Sequence, residues 1–209
     1  MAQIVEEKKE KSQVKEKAAQ PKTRKKTADK WKKKAWYTIV APEEFERREI
    51  GETVAEKPEM LIGRVIAING RDLANQPKKQ HIKIRFKVNS ISGNKAQTDA
   101  IGHFIKDDFI RRLVRRRSSK VMSVRNYALK DGKSVKIKTV VVSERKASGK
   151  QRASLKKKTE EMMQRIISEM DSRKVVDELV FGTVPNKLYP ELKKVVPIKR
   201  IEMANSLLI

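Results

Sequence analysis

Apolar and polar residues alternate strictly from residue 82 to residue 89, a pattern typical of a strand that buries one face. The apolar positions are Ile82, Ile84, Phe86 and Val88, and the polar ones are Lys83, Arg85, Lys87 and Asn89. Ser92-Gly93-Asn94 is a turn signal, and residues 96–104 are predicted to return as the partner strand. The most regular part of the chain is therefore a predicted β-hairpin.

Five shorter runs rich in aromatic and β-branched residues predict the remaining strands. These runs cover residues 36–40, 60–68, 121–129, 134–143 and 195–203, and a helical turn is expected at 43–48. Asp131-Gly132, a two-residue turn signal, joins the third and fourth runs as a second hairpin. Trp36 precedes apolar neighbours and is predicted to be a core residue.

Apolar residues at helical spacing occupy two longer stretches. The first predicts a helix over residues 105–117, with apolar positions at Ile105, Phe109, Ile110, Leu113 and Val114. The second follows a predicted basic loop at 144–158 and has apolar positions at Leu155, Thr159, Met162, Met163, Ile166, Ile167 and Met170. Ser172 is the predicted cap of a shorter helix that Gly182 ends, and a last turn is expected at 186–194.

Seven strands and several helices in no regular βαβ order predict an α+β fold. Tight turns and strands with polar faces favour a mainly antiparallel β-barrel of about seven strands, flanked by several α-helices. Residues 29–209 are predicted to form this single domain. Residues 1–28 carry almost nothing apolar after Val14, which predicts a disordered basic extension, either ordering on RNA or serving only as a solubilising tail.

The charge balance points to a polyanionic partner. The chain has 209 residues, 51 Lys+Arg against 26 Asp+Glu, and a formal net charge of +25. Such an excess repels itself in a compact state unless a polyanion neutralises it. An anionic membrane surface is disfavoured, because no apolar run approaches the ~20 residues that span a bilayer and the start has no signal-peptide pattern. Cysteine is absent, which excludes disulfides and fits a reducing intracellular compartment.

Candidate catalytic chemistry is missing from the sequence. The two histidines, His81 and His103, have no cysteine to work with, and His103 is predicted to be a structural residue. Adjacent Asp107 and Asp108 diverge by ~100° on a helix, where the helix dipole accounts for both. Neither a phosphate-binding loop nor metal-ligand spacing occurs. We therefore expect no enzyme activity, cofactor, metal or small-molecule substrate.

Three basic clusters are candidate RNA contacts. The first is Arg111, Arg112, Arg115, Arg116, Arg117 and Lys120, where like charges four apart on a helix favour neutralisation by phosphate. The second is Arg145, Lys146, Lys150, Arg152, Lys156, Lys157 and Lys158, with Ser148-Gly149 allowing close approach of a backbone. The third is Lys25, Lys26, Lys30, Trp31, Lys32, Lys33 and Lys34. Trp31 is either a base-stacking residue or part of the core. For the first cluster the alternative to RNA contact is a solvated helix face, and for the second cluster it is a flexible exposed loop.

Four segments also resemble a known family. Residues 34–42 (KAWYTIVAP), Gly102-His103-Phe104 before a basic helix, the tract 150–163, and the ending 166–208 with Leu188-Tyr189-Pro190 follow one another along the chain. In this order they are similar to segments of the S3Ae family of archaeal and eukaryotic small-subunit ribosomal proteins. The resemblance covers about residues 29–209.

This resemblance implies a structural constituent of the small (30S) ribosomal subunit in the cytoplasm. It implies a barrel that binds ribosomal RNA on the platform near the messenger exit, beside neighbouring platform proteins, with contacts to messenger RNA and initiation factors. Absence of cysteine and richness in charge favour an archaeal source. The alternatives are a chromatin-like DNA or RNA architectural protein, which lacks a recognisable groove-fitting element here, and a nucleic-acid-modifying enzyme.

Overall fold

Eight strands and five helices make up residues 34–74, 79–182 and 184–209, which the computed structural model describes. The strands are β1 (Ala35–Val40), β2 (Glu49–Ala55), β3 (Val65–Asn69), β4 (Ile82–Ser92), β5 (Lys95–Ile105), β6 (Lys120–Ala128), β7 (Ser134–Ser143) and β8 (Ile198–Leu208). The helices are α1 (Gly70–Ala74), α2 (Asp107–Leu113), α3 (Gly149–Ser168), α4 (Ser172–Val180) and α5 (Val184–Lys193). The α+β class is confirmed, with one strand more than the pattern predicts. The predicted extension over residues 1–28, and its boundary at 29, lie outside the described residues and stay predictions.

The additional strand is β2, and the predicted run 60–68 divides into two elements. A 3-10 turn, Pro58–Leu61, begins with proline at a position where its missing N–H leaves nothing unsatisfied. Gly63 then adopts a φ of +84°, a conformation that glycine accepts at no steric cost, and β3 starts two residues later. The chain therefore turns where the apolar pattern alone reads as a continuous strand.

The strands form one open, branched sheet. The main path of the sheet has the strand order β2-β1-β5-β8-β7-β6. The strand β4 pairs with the other side of β5, and β3 pairs with β4. All pairs are antiparallel apart from β1–β5, where Thr38–Val40 runs parallel to Lys95–Gln97. One side of β5 is shared by β1 at one end and β8 at the other, so the sheet branches instead of returning to its first strand. The closed barrel is therefore a wrong prediction for the described residues.

Three hydrophobic clusters hold the sheet and helices together. The largest joins β6, β7 and β8 to α3, α4 and α5, and it contains Ile137, Leu155 and Met163. The second contains Ile84 and Phe86 of β4 with residues from β7, α2 and α4, and the third lies under β1 and β2. The apolar face predicted for β4 is confirmed, because Ile82, Ile84, Phe86 and Val88 are all buried.

Trp36 departs from its predicted place in the core. In β1 the residues that face the core are Tyr37 and Ile39, so alternation turns Trp36 outward, where it is 62% exposed opposite Val54 of β2. Apolar neighbours in the sequence indicate a strand, but they do not say which of its two faces is covered. The core assignment of Trp36 was therefore wrong.

β5 and β8 approach each other closely at Gly102 and His103. A Cβ at Gly102 would lie 2.1 Å from the Ser206 carbonyl oxygen, so no other residue fits without backbone movement. His103 is 1% exposed, and its Nε2–H donates to the Met203 carbonyl at 2.7 Å. Burial lowers the pKa of His103 to about 4. The predicted structural role of this histidine is confirmed.

None of the helices within the described ranges has a stretch long and apolar enough to cross a membrane.

Candidate RNA interface

The first basic cluster begins on a helix and continues in a turn. α2 ends at Leu113, because Val114 is extended and Ser118 offers the backbone an alternative set of hydrogen bonds. The Ser118 hydroxyl donates to the Arg115 carbonyl at 2.6 Å and accepts from the Arg115 N–H at 3.1 Å. The predicted helix over 105–117 is thus too long. Arg111 and Arg112 lie on the short helix α2, whereas Arg115, Arg116 and Arg117 lie in the turn that follows it, here called the arginine turn. The predicted pairs of arginines four residues apart on one helix are therefore not formed.

α2 is fixed by the apolar residues that the sequence assigned to its inner face. Ile110 is buried in the second cluster, and Phe109, Leu113 and Val114 are half-buried against it. The Phe109 ring stacks on His81 with centroids 3.7 Å apart, and the Arg200 guanidinium lies 5.4 Å from its centroid. The inner face holds the helix, so the arginines of α2 remain on the outside.

The second basic cluster lies mostly on α3. Ser148 caps this helix: its hydroxyl accepts from the Gln151 N–H at 3.3 Å, while the Gln151 side chain accepts from the Ser148 N–H at 2.9 Å. This reciprocal arrangement satisfies two N–H groups that the first helical turn leaves unpaired. The predicted loop over 144–158 is therefore a short loop followed by a helix. The Ser148-to-Gln151 spacing carried the signal for it.

A side chain near the middle of α3 attaches the helix to β6. Glu160 is buried, accepts a hydrogen bond from the Ser123 hydroxyl at 2.7 Å, and pairs with Arg125 at 3.1 Å between Nε and Oε2. Leu155, Met163 and Ile167 pack on the same side into the largest cluster. α3 is thus anchored on one face, which gives its basic residues fixed positions.

Ser119 joins the two basic clusters, which are separate in the sequence. Its N–H donates to the Ser143 hydroxyl at 2.9 Å, and its carbonyl accepts from the Ser143 N–H at 3.0 Å. Its own hydroxyl accepts from the Ala147 N–H at 3.0 Å. The buried Ser143 in turn donates to the Arg145 carbonyl at 2.6 Å. The arginine turn that precedes Ser119 and the loop that opens the second cluster are therefore held side by side. We call the combined first and second clusters the basic surface.

The basic surface is short of acidic partners. All of its residues apart from Lys158 are exposed, and among the described residues none of these makes an ion pair. Lys158 pairs with Glu191 at 3.2 Å and links α3 to α5, so its first role is structural. Unneutralised cations held this close repel one another, and a polyanion relieves that repulsion.

The structure adds Arg200, which the sequence reasoning missed, and exposes Trp36, which the sequence reasoning assigned to the core. Arg200 and Lys120 are both opposite Val142, one on each neighbouring strand, so they share the face of the sheet on which Val142 packs with Ile110 of α2. Arg200 also pairs with Glu202, which leaves part of its charge neutralised. Trp36 is exposed two residues after Lys34, the first described member of the third cluster. The other members of that cluster, Lys25, Lys26, Lys30, Trp31, Lys32 and Lys33, lie outside the described residues and their RNA contacts stay predictions.

Fold and surface together define a basic α+β protein that presents a preformed cationic face. The sequence profile of the Ribosomal S3Ae family matches residues 22–209. The chain is 33% identical over 188 residues to the small ribosomal subunit protein eS1 of Methanobrevibacter smithii, covering 90% of this chain and 97% of that protein. Its identity to the eS1 of Methanococcus vannielii is 34% over 190 residues, covering 91% and 86% of the two chains.

The chain belongs to the ribosomal S3Ae family. It is a ribosomal protein and not an enzyme, and the similarity to archaeal relatives confirms the archaeal type indicated by the sequence.

Proposed function

We propose that this chain serves as a structural constituent of the small (30S) ribosomal subunit by binding ribosomal RNA with the basic surface. The observation that carries the proposal is the Ser119 link, which holds the arginine turn beside the loop that opens the second cluster. The two clusters together present twelve exposed cations without acidic partners among the described residues. Arginine binds phosphate oxygens bidentately, and lysine adds point charge, so such a surface fits a folded phosphate backbone.

The surface favours contacts with the RNA backbone over base reading. Its members are lysine and arginine, and the exposed aromatic residues among those described, Trp36 on β1 and Tyr189 on α5, are not members of it. Backbone contacts position a protein on RNA, whereas sequence is read by stacking and hydrogen bonding to splayed bases. We therefore infer binding that depends strongly on salt and weakly on RNA sequence.

We place the protein on the platform of the subunit near the messenger exit, beside other platform proteins, on the cytoplasmic ribosome. The support is the family resemblance of residues 34–42 and of Gly102-His103-Phe104, together with the similarity to small ribosomal subunit proteins of archaea. Contacts with messenger RNA and initiation factors belong to the same proposal.

Charge removal at the basic surface tests the proposal. A variant with Arg115→Gln, Arg116→Gln and Lys146→Gln is compared with one carrying Lys57→Gln, Lys174→Gln and Lys187→Gln, three exposed lysines elsewhere on the fold. Both lose three charges. Titrated with small-subunit RNA at several salt concentrations, the first should weaken, with the slope of log K against log salt smaller by roughly 2, at ~0.7–0.9 per lost phosphate contact.

Assembly gives an independent measurement. The first variant should be displaced from archaeal 30S particles at lower salt than the parent in a sucrose gradient, and the control variant should remain bound. Equal losses of RNA affinity in both variants would mean that net charge alone drives binding, and the basic surface would then have no special role. Preference for duplex DNA over RNA would favour the chromatin-like alternative.

A further inference from the structure

β6 forms a long edge of the sheet whose outer side is open. It pairs only with β7, through nine consecutive residue pairs without a bulge, and no other described strand reaches it. Its sequence contains neither proline nor glycine. Natural sheets protect such edges with bulges, prolines or short strands, because an unpaired edge is a template for another strand. The absence of these devices in β6 indicates an edge that is kept ready for a partner.

The hydrogen-bonding groups at this edge can be assigned. Ser143 N–H donates to the Ser119 carbonyl at one end of the β6–β7 ribbon, and Leu129 N–H donates to the Lys133 carbonyl at the other. Bonded pairs alternate along an antiparallel ladder. The residues of β6 that bond to β7 are therefore Val121, Ser123, Arg125 and Tyr127. Those whose N–H and C=O groups point to the open edge are Lys120, Met122, Val124, Asn126 and Ala128.

The face beside this edge is apolar in the middle and basic around it. Met122 is 45% exposed and Val124 is 50% exposed, on the side of β6 opposite α3. Lysines surround the pair: Lys120 precedes it on β6, while Lys138 is opposite Val124 and Lys136 is opposite Asn126 on β7. Neither β6 nor β7 contains an acidic residue. Since every second residue of a strand points to the same face, a strand that complements this face carries aliphatic side chains at two such positions and carboxylates at the same-face positions before and after them.

We propose that the open edge of β6 receives an extended acidic segment of a neighbouring protein as an added strand. Backbone hydrogen bonds to the outward amides would supply affinity, and aliphatic side chains seated on Met122 and Val124 with carboxylates near the lysines would supply specificity. A second copy of this chain is disfavoured, because edge-to-edge pairing would bring the lysines of two +25 chains together. RNA is also disfavoured as the occupant, because it lacks the alternating amide and carbonyl groups with which an added strand pairs. The proposal goes beyond RNA binding, although the two surfaces share Lys120.

Substitution of a single amide tests the edge itself. Asn126→Pro removes one outward N–H and leaves the bonds to β7 in place, and proline is tolerated on an edge strand in this orientation. Asn126→Ala is the matched control that keeps the amide. The probe is an acetylated and amidated heptapeptide with glutamate at its first and last positions, valine at its third and fifth and threonine between them, so that the valines and glutamates share one face of a strand. The charge control is the same peptide with lysine in place of glutamate. The full chain is titrated with each peptide by calorimetry, and its amide exchange is followed by NMR.

The parent and Asn126→Ala should bind the valine–glutamate peptide, with slowed exchange at Met122, Val124 and Asn126, where an amide is present. Asn126→Pro should bind it roughly tenfold more weakly or worse, at the same melting temperature. If Asn126→Pro unfolds, Val124→Ser serves instead, because it removes the aliphatic contact without adding charge, with Val65→Ser on the edge strand β3 as its control.

Three results would overturn the proposal. They are equal binding by parent and edge variant, equal binding of the two peptides, and protection of these amides by a short RNA or by self-association instead of by the acidic peptide.

Discussion

His103 and Ser206 exchange two hydrogen bonds across the β5–β8 pair. The His103 N–H donates to the Ser206 hydroxyl oxygen at 3.0 Å, and the same hydroxyl donates to Nδ1 of the ring at 2.6 Å. Since Nε2–H already donates to the Met203 carbonyl, all polar atoms of the ring are satisfied in the neutral form. A proton added at Nδ1 would remove the acceptor that the Ser206 hydroxyl uses.

Stability should therefore depend on pH through His103. Its pKa is lowered by burial from 6.5 to about 4, so between these values the unfolded chain binds a proton that the folded chain does not. The stabilisation is complete above pH 6.5 and is lost as pH falls towards 4, by about 3 kcal/mol in all. Urea unfolding at pH 7.5 and pH 4.5 should show a larger loss for the parent than for His103→Gln. Parallel losses would show that His103 does not titrate in this way.

Gly102→Ala should be among the most destabilising substitutions in the fold. The new Cβ would lie 2.1 Å from the Ser206 carbonyl oxygen, a contact with backbone that no side-chain rotation relieves. We expect a loss of about 3 kcal/mol, at the upper end for overpacking. Gly51→Ala is the control, because nothing lies within 4 Å of a Cβ there. The measurement is thermal unfolding of both variants, and comparable melting temperatures would contradict the close approach of β5 to β8.

Ser143→Ala should loosen the link between the two parts of the basic surface. It removes the acceptor for the Ser119 N–H and the donor to the Arg145 carbonyl at a buried position, which should destabilise by about 1–3 kcal/mol. RNA affinity should fall as well, although no charge is changed. Ser154→Ala, on the exposed side of α3, is the control. An unfolding titration and an RNA titration of both proteins check the prediction, which fails if Ser143→Ala folds and binds like Ser154→Ala.

Ile110→Ala should destabilise the attachment of α2 more than Leu113→Ala does. Ile110 is buried in the second cluster, where truncation should cost about 2–4 kcal/mol, whereas the half-buried Leu113 should cost about half as much. Arg112→Gln should change stability by less than about 0.5 kcal/mol, because its side chain is exposed. The free energy of unfolding from urea titrations gives the order, and a reversed order would mean that α2 is held by its other face.

The sequence predicted the elements whose pattern is repeated over many residues. The alternation in β4 gives the first residue of its strand, which continues three residues beyond the pattern, and the Asp131-Gly132 turn places β6 and β7 within one residue. In β4 the same alternation of apolar and polar residues recurs along the strand. In the β6–β7 hairpin the two-residue turn requires residues such as Asp-Gly, so both features can be predicted from neighbouring residues alone. The helix from residue 155 onward was also correct, but its capping signal at Ser148 was overlooked.

The wrong predictions about Trp36 and about the closed barrel concern features that depend on contacts between distant segments of the chain. Whether Trp36 faces the core depends on which side of β1 is covered, and the covering residues, Ala55 and Leu61 among them, come from later in the chain. The end of α2 is different, because it is a local feature set by the hydrogen bonds between Ser118 and Arg115, which the apolar periodicity does not show. Closure of a barrel depends on which strand pairs with each edge, and no local pattern contains that information. The sequence indicated the members of the first two clusters as candidate RNA contacts, which stay predictions, but it did not show that Ser119 holds the two clusters side by side.

The hydrogen bonds at Ser119 couple the folding of the chain to its proposed binding of RNA. Two cationic patches held at a fixed separation act as one bivalent ligand, because contact at the first patch places the second at a high effective concentration near the next phosphates. A disordered chain with the same charges would lose this advantage, so the polyanion binds the folded form preferentially. Under the proposed function, RNA raises the stability of the fold by mass action, by about 2.7 kcal/mol at a free concentration one hundred times the dissociation constant. For a chain with a net charge of +25, the RNA of that proposal would therefore also be a folding ligand.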